Sequence, residues 1–504
     1  MKANARLIAC AALLASAGCG GPSSEPASPA PAAPSTSGAK PVERAPVAVA
    51  KSDPAPAAKP AADAGAGKLT SSATKRVAPP TPTNTAPSPA IVDPRPEPIS
   101  PALPVDDVIA AAGIRKLSSE HLTLYTDLPS AHGVDELPAL FDQAYPQWRD
   151  YFGKEPKAPW RVVGCLMGDK QKFQSVGLLP ADLPPFLHGY YRSGRVWLYE
   201  QPSDYYRRHL LLHEGTHAYA DAALGGCGPP WYLEGIAELL ATHSLVDGKL
   251  KLNVFPARRE DVPLWGRVKL VRDAIDAGHA LTLVDVLDYG ATAHRQAEPY
   301  GWCWALAAFL EGHQRYHERF QKLPTLVRQP DFNRQFRQLF ADDWADLVDE
   351  WQVFAANLEY GYDFERTVIA FDAGWPLPAG GATVTIAADR GWQSSGYQID
   401  AGKKYRVTAK GRFQLAKEPR PWISEPNGVS IRYSQGKPLG LLLGAVRAPA
   451  KDPQARSSLA PPFEIGLGTT VKPEHTGALY LRVNDSMAEL ADNAGAVEVT
   501  IAPE

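Results

Sequence analysis

Two histidines four residues apart, His213 and His217, stand in the stretch HEGTHAY with Glu214 beside the first. On a helix, positions i and i+4 share a face, so both imidazoles converge on one point while Glu214 sits next to it. That spacing is the start of a catalytic zinc site, where protein ligands take three positions and the fourth is left to water. Two helical histidines are more often surface or packed residues, so a third ligand has to decide. The stretch PPWYLEGIAELLATH offers Glu234, with residues 218–233 between it and His217. The loop LGGCGPPW can reverse the chain, so that a second helix runs back against the first and points Glu234 at the ion. Glu238, one turn further, is placed to accept the outer N–H of a ligand histidine, or else is an exposed helix carboxylate. His209 lies four residues before His213, but three histidines spanning two turns cannot all reach one ion, which makes it a neighbour.

HEGTH followed at this range by the helix WYLEGIAE resembles the gluzincin metallopeptidases, and more specifically the peptidase MA-like group of secreted bacterial proteins. The resemblance covers roughly residues 118–360, specific at these two motifs and loose elsewhere. It implies an α+β zincin-type domain with zinc held by His213, His217 and Glu234. Amide hydrolysis then needs Glu214 as the base that takes a water proton and returns it to the leaving amine. The superfamily's oxyanion donor, a tyrosine or histidine opposite the metal, points to Tyr300, which opens the aromatic helix YGWCWALAAFL. Tyr289 is the competitor, and each is equally a candidate core aromatic.

The elements that must position this set are readable from periodicity. HLTLYTDL (121–128) alternates as a strand, VDELPALFDQAYPQWRDYFG (134–153) takes the helical period, and WRVVGCLMG (160–168) suits a buried strand. GYYRSGRVWLYE (189–200) is a hairpin turning at Ser193-Gly194; it either offers an edge strand to an extended peptide or is purely structural. The HEGTH helix starts at a cap on Ser203 or Asp204 and ends at Gly225-Gly226. Further helices reach about residue 360, including 300–313 and 343–362.

From about Asp372 the chain changes to short alternating runs, TVTIAA, KYRVTAKG, VSIRYS, ALYLRVN and AVEVTIA, the pattern of an all-β sandwich. Asp485, Asp492 and Asn493 fall on a loop between its last two strands. Crowded oxygen ligands suit calcium, while an Asn/Asp-rich turn needs no ion. The N-D loop followed by two adjacent Asp/Asn residues resembles the small calcium-dependent galactose-binding bacterial lectins, over about 375–501. By that resemblance Asp485, Asp492 and Asn493 supply side chains, and the carbonyls of Leu415 and Glu489 complete the sphere. SEPNG (424–428) lacks the lectins' extra sugar-contacting histidine and glutamine, so galactose specificity does not follow. Trp375, Trp392 and Trp422 either stack on sugars or pack the sandwich.

The N-terminus has Lys2 and Arg6, an apolar run from Leu7 to Ala15 and small residues ending at Cys19, which is a secretory signal rather than a membrane span. The ending resembles a bacterial lipoprotein box with Ser16 where Leu is usual. Lipidation of Cys19 and ordinary cleavage are the alternatives, and both put the mature chain outside the cytoplasm. From there to residue 104 the composition reads as a disordered Pro/Ala-rich tether, which holds many of the 48 prolines. A net charge of −3 with no basic stripe argues against nucleic acid. Cys165, Cys227 and Cys303 lack CxxC spacing and fit buried thiols.

The expectation is therefore multidomain: signal segment 1–19, tether 20–104, gluzincin-like metallopeptidase domain 105–365 and lectin-like β-sandwich 370–504. The expected activity is zinc-dependent peptide hydrolysis outside the cytoplasm. Expected partners are a peptide or protein substrate, a glycan or surface polysaccharide, and a membrane through the lipid anchor alone. The rival is a catalytically silent zincin-fold lipoprotein that binds carbohydrate or protein. Glu214 argues against it, because a pure scaffold has no need of that carboxylate. A zinc hydrolase of other acyl bonds is a third reading.

Overall fold

In the computed structural model, residues 103–290, 296–448 and 456–504 are described. Cys19, the signal segment and nearly all of the tether lie outside them.

Strands and helices alternate at first: α1 (Asp106–Ala111), β1 (Arg115–Ser118), β2 (Leu122–Thr126), α2 (His132–Asp135), α3 (Leu137–Phe152), β3 (Val162–Met167), α4 (Lys170–Ser175), β4 (Gly189–Arg192) and β5 (Arg195–Tyr199). Helices follow: α5 (Asp204–Leu224), α6 (Pro230–Ala241), the hairpin of β6 (Ser244–Val246) and β7 (Lys249–Lys251), α7 (Arg267–Asp276), α8 (Leu283–Leu287), α9 (Ala297–Gly312), α10 (His317–Phe320), α11 (Phe332–Leu339) and α12 (Trp344–Ala356).

The first sheet has the order β1-β2-β3-β5-β4, with β2, β3 and β5 parallel and antiparallel strands at both edges. β2 is buried along its whole length, as a parallel strand covered on both faces should be. Its helix side shares one core with Phe141 and Trp148 of α3, Tyr219 of α5, Trp231 of α6 and Trp302 and Trp304 of α9. Gly235 is what lets α6 lie on α9, since a Cβ there would stand 2.7 Å from the Cys303 carbonyl oxygen. The helical period carries the last helix to residue 362, yet it stops at Ala356. Asn357 turns its side-chain amide back onto the Val353 carbonyl at 2.7 Å, competing with the helix ladder, and the chain leaves for the second part. Cys165, Cys227 and Cys303 are free thiols. Among the described residues no helix is long and apolar enough to cross a membrane.

The second part is β-rich: β8 (Trp375–Pro376), β9 (Ala382–Ala387), β10 (Gln393–Ile399), β11 (Tyr405–Lys410), β12 (Phe413–Ala416), β13 (Trp422–Ser424), β14 (Asn427–Ser434), β15 (Lys437–Arg447), β16 (Phe463–Glu464), β17 (Gly468–Val471), β18 (Gly477–Val483) and β19 (Ala496–Pro503). One sheet runs β14-β15-β18-β10-β8 with β16 on β15, and another runs β17-β11-β19-β9. Leu479 and Leu481 from the first sheet meet Val407, Val497 and Ile501 from the second in one core. The opposite face of β15 and β18 carries Leu443, Ala445 and Tyr480 against Val353 of α12. Trp392 packs in that second layer and Trp422 sits half-buried on the sheet-to-sheet core, while Trp375 is exposed.

An ion pair pins the two parts together. Arg447 donates from Nε to Asp349 Oδ2 and from Nη2 to Asp346 Oδ1, both at 2.7 Å, and its guanidinium lies 3.7 Å from the Phe371 ring centre. Replacing Arg447 by Met strands Asp349 as a buried unpaired carboxylate. The expected cost is about 3–5 kcal/mol in urea unfolding, and a loss well under about 1 kcal/mol would contradict this role.

Candidate metal centre

The site is built where α5 and α6 run back to back. Ser203 caps α5, its hydroxyl accepting from the Tyr206 amide at 3.1 Å, and Gly225 closes the helix with φ 74°. Pro229 and Pro230 then start α6 at a fixed φ, which suits the first helical turn. Inside this corner His213 Nε2 lies 3.1 Å from His217 Nε2 and 3.2 Å from Glu234 Oε2, and His217 Nε2 lies 3.6 Å from Glu234 Oε2. All three residues are buried, and among the described residues no donor reaches Glu234 Oε2 in hydrogen-bond geometry.

These separations have a simple meaning. Ligand atoms about 2.0–2.1 Å from a tetrahedral ion stand about 3.3 Å from one another. Three bare acceptors at that spacing repel unless a cation or a proton lies between them. Charge points the same way, since Glu214, Glu234 and Glu238 are all buried and the Arg267 guanidinium pairs with Glu238. With the imidazoles neutral, three negative charges and one positive leave two negative charges in a dry site, the complement of a divalent cation.

Burial alone would lower the His213 imidazole, but Glu234, Glu238 and Glu214 outweigh it and hold it well above its ordinary range. Burial would raise Glu234, yet the two histidines pull its carboxyl down to about 2. Glu214 goes the other way: burial raises it, and the neighbouring histidines only partly offset that. A base held above the usual carboxylate range is better matched to proton transfer near neutral pH.

Glu238 reaches His213 on the far side of the ring, with Oε1 3.2 Å from Nδ1. His209 Nε2 lies 3.1 Å from Glu238 Oε2 and does not join the trio. The set His209, His213 and Glu238 could in principle hold a cation of its own. Arg267 already supplies that charge, donating from Nε and Nη2 to Glu238 at 2.9 and 2.8 Å. Sequence reasoning did not find Arg267.

Tyr300 sits beside the centre, its ring 5.9 Å from that of His213, and burial with the three nearby glutamates pushes its hydroxyl far above the ordinary range. Tyr289 is a half-buried aromatic against the main core. Among the described residues β4 is an edge strand of the first sheet, and it begins at the site: a Cβ on Gly189 would stand 2.5 Å from Glu214 Oε1. Tyr191 of β4 ties that edge to α5 through its hydroxyl, 2.6 Å from Asp221 Oδ2. Cys227 keeps its sulfur 3.8 Å from the His217 carbonyl oxygen.

In the second part, Asp485, Asp492 and Asn493 share the loop between β18 and β19. Asn493 Nδ2 donates to Asp485 Oδ2 at 2.8 Å, while Asp492 Oδ1 and Asn493 Oδ1 are buried without a partner among the described residues. Gln414, the neighbour of Leu415, pairs with Ala494 and so brings β12 against the loop. Glu489 is turned toward Arg432, whose Nη2 donates to it at 2.6 Å. The helical part clamps the same loop: Glu359 accepts from Ser486 Oγ at 2.9 Å and from the Met487 amide at 2.6 Å. A groove of about 1140 Å³ runs past this loop between α7 and β14, and none of His213, His217 or Glu234 lines it.

No family model and no curated protein matches the sequence. Among solved structures, the N-terminal domain of EclA, a PllA-like lectin, is 20% identical, covers 24% of this chain and 95% of its own, and has a TM-score of 0.19. PliG from Aeromonas hydrophila, a periplasmic inhibitor of g-type lysozyme, is 14% identical over 27% of this chain and 96% of its own, with a TM-score of 0.15. The IMPa metallopeptidase from Pseudomonas aeruginosa is 13% identical over 68% of this chain and 37% of its own, with a TM-score of 0.16. These are loose likenesses to a lectin, an inhibitor and a metallopeptidase.

Proposed function

We propose that the chain is a zinc-dependent peptidase of gluzincin type, with a zincin-type domain over 105–365 and a lectin-like sandwich over 370–504. The observation that carries the reading is the trio of His213 Nε2, His217 Nε2 and Glu234 Oε2 at tetrahedral-edge separations of 3.1–3.6 Å. A zinc ion held there supplies Lewis acidity to a water and to the scissile carbonyl. Glu214 takes the water proton on its carboxylate and delivers it to the leaving nitrogen. Tyr300, kept protonated by its surroundings, donates its O–H to the carbonyl oxygen as negative charge develops. An extended substrate pairs along the edge strand β4, and the missing side chain of Gly189 leaves its backbone room beside Glu214.

The purified protein incubated with a diverse peptide mixture should create new termini, read by mass spectrometry. Cleavage that vanishes with a chelator and returns with zinc supports this reading. A zinc-loaded protein that cuts nothing would overturn it in favour of a binding scaffold.

The β-rich part is proposed as a glycan- or surface-binding module with calcium on Asp485, Asp492 and Asn493 and on the carbonyls of Leu415 and Glu489. Asp492 Oδ1 and Asn493 Oδ1, buried without a partner among the described residues, support that placement. Burial lifts Asp485 to about 6 from an ordinary 3.8, Asn493 and the Ser486 amide only partly opposing it. A raised carboxyl favours folding while protonated, so without cation this contribution is complete below about pH 3.8 and is lost as pH rises through about 6. Millimolar calcium should therefore raise Tm more at about pH 7.5 than at about pH 5, and Asp485→Asn should erase the difference. Equal shifts at both pH values would remove calcium from this loop. Lipidation at Cys19 would anchor the mature protein outside the cytoplasm.

A further inference from the structure

We propose that Arg267 is the positioning residue of the metal centre, fixing the His213 ring through Glu238 and flanking the Tyr300 ring in a cation–π contact. This rests on His213, His217 and Glu234 being metal ligands.

Arg267 opens α7 and is 7% exposed. Two of its nitrogens grip both oxygens of Glu238 at 2.8 and 2.9 Å, and Nη1 donates to the Trp265 carbonyl at 3.0 Å. Trp265 is itself locked edge-on against Trp304, with ring centres 4.6 Å apart. A carboxylate held by a planar fork cannot rotate, so Glu238 presents Oε1 to His213 Nδ1 and Oε2 to His209 Nε2 in fixed directions. An imidazole whose Nδ1 faces the Glu238 carboxylate 3.2 Å away is favoured in the tautomer that carries its proton on that side and keeps the Nε2 lone pair for the trio. The guanidinium also faces the rings of Tyr206 and Tyr300, at 5.9 and 5.6 Å from their centres. One side chain thus reaches a ligand from behind and the proposed oxyanion donor from the side.

The geometry explains the residue type. Lysine would supply the charge but not the fork, and a second metal ion in the His209, His213 and Glu238 set would meet a fixed positive charge. A purely structural Arg267 would simply join α6 to α7; such a role sets thermal stability, whereas a positioning role sets how tightly and in what geometry the ion is held.

Cobalt(II) separates the two, because its visible absorption reports ligand geometry and its affinity can be measured by chelator competition, without turnover. The wild-type chain, Arg267→Met and Arg267→Lys are compared well below their Tm values. Arg267→Met is expected to bind cobalt about 10–100-fold more weakly with an altered visible band, and Arg267→Lys to fall between it and the wild type. Wild-type affinity and spectrum in Arg267→Met, or in Arg267→Lys if the Met variant does not fold, would overturn the proposal whatever happens to Tm. A wild-type chain that gives no cobalt spectrum would instead sink the ligand assignment itself, a distinguishable failure.

Discussion

Glu214→Gln is expected to keep the metal and to lose cleavage by about 10²–10⁴-fold in kcat, with KM little changed. Glu214 contributes no atom to the trio, and glutamine matches it in shape, so the ion should bind with near wild-type affinity. What the amide cannot do is take a proton from water. Glutamine also removes one of three buried negative charges, so the metal-free variant should unfold at or above the wild-type temperature. Retained cleavage would exclude Glu214 as the base, whereas loss of metal together with cleavage would show that it shapes the ligand set.

Glu234→Ala has the opposite signature. Removing Oε2 takes away one of three protein ligands, so the affinity should fall by more than the about 10–100-fold typical of losing an outer partner. Turnover disappears because the ion is no longer held, not because proton transfer is slow, and excess zinc should restore part of it. The fold should survive, since α6 is seated by Trp231, Ile236 and Leu239 in the main core and by the close pass of Gly235 over Cys303. Chelator competition with zinc distinguishes the two variants. Equal zinc affinity in wild type and Glu234→Ala would remove Glu234 from the centre.

How much of this was legible in the sequence depends on the range of the interactions. His213, Glu214 and His217 were legible because helical spacing alone puts them on one face. Glu234 was legible because a Gly/Pro loop before a second helix implies reversal. Glu238 was legible as a carboxylate behind a ligand histidine because it lies one turn from Glu234, whereas His209 reads from the sequence only as a neighbour and its contact with Glu238 belongs to the packing of α5 on α6. Arg267 carried no such signal. In GRVKLVRDAID it looks like one more solvent-facing base, and only the packing of α7 on α9 and the reach of its side chain to Glu238 of α6 bury it. The clamp of Glu359 on the 485–493 loop is equally long-range, set by how the helical part meets the sandwich. Periodicity alone overruns the last helix past Ala356, because the apolar period continues where the Asn357 side chain competes for the Val353 carbonyl.

The central claim, a single ion held by two imidazoles and a carboxylate, is tested most directly by X-ray absorption at the zinc edge of the loaded protein. The account predicts two imidazole nitrogens at about 2.0–2.1 Å, oxygen from Glu234 and one water at about 2.0–2.2 Å, and no sulfur. A sulfur scatterer at about 2.3 Å would bring Cys227 into the shell, and a fully hydrated or six-oxygen environment would mean that the trio does not hold the ion; either result would contradict the account.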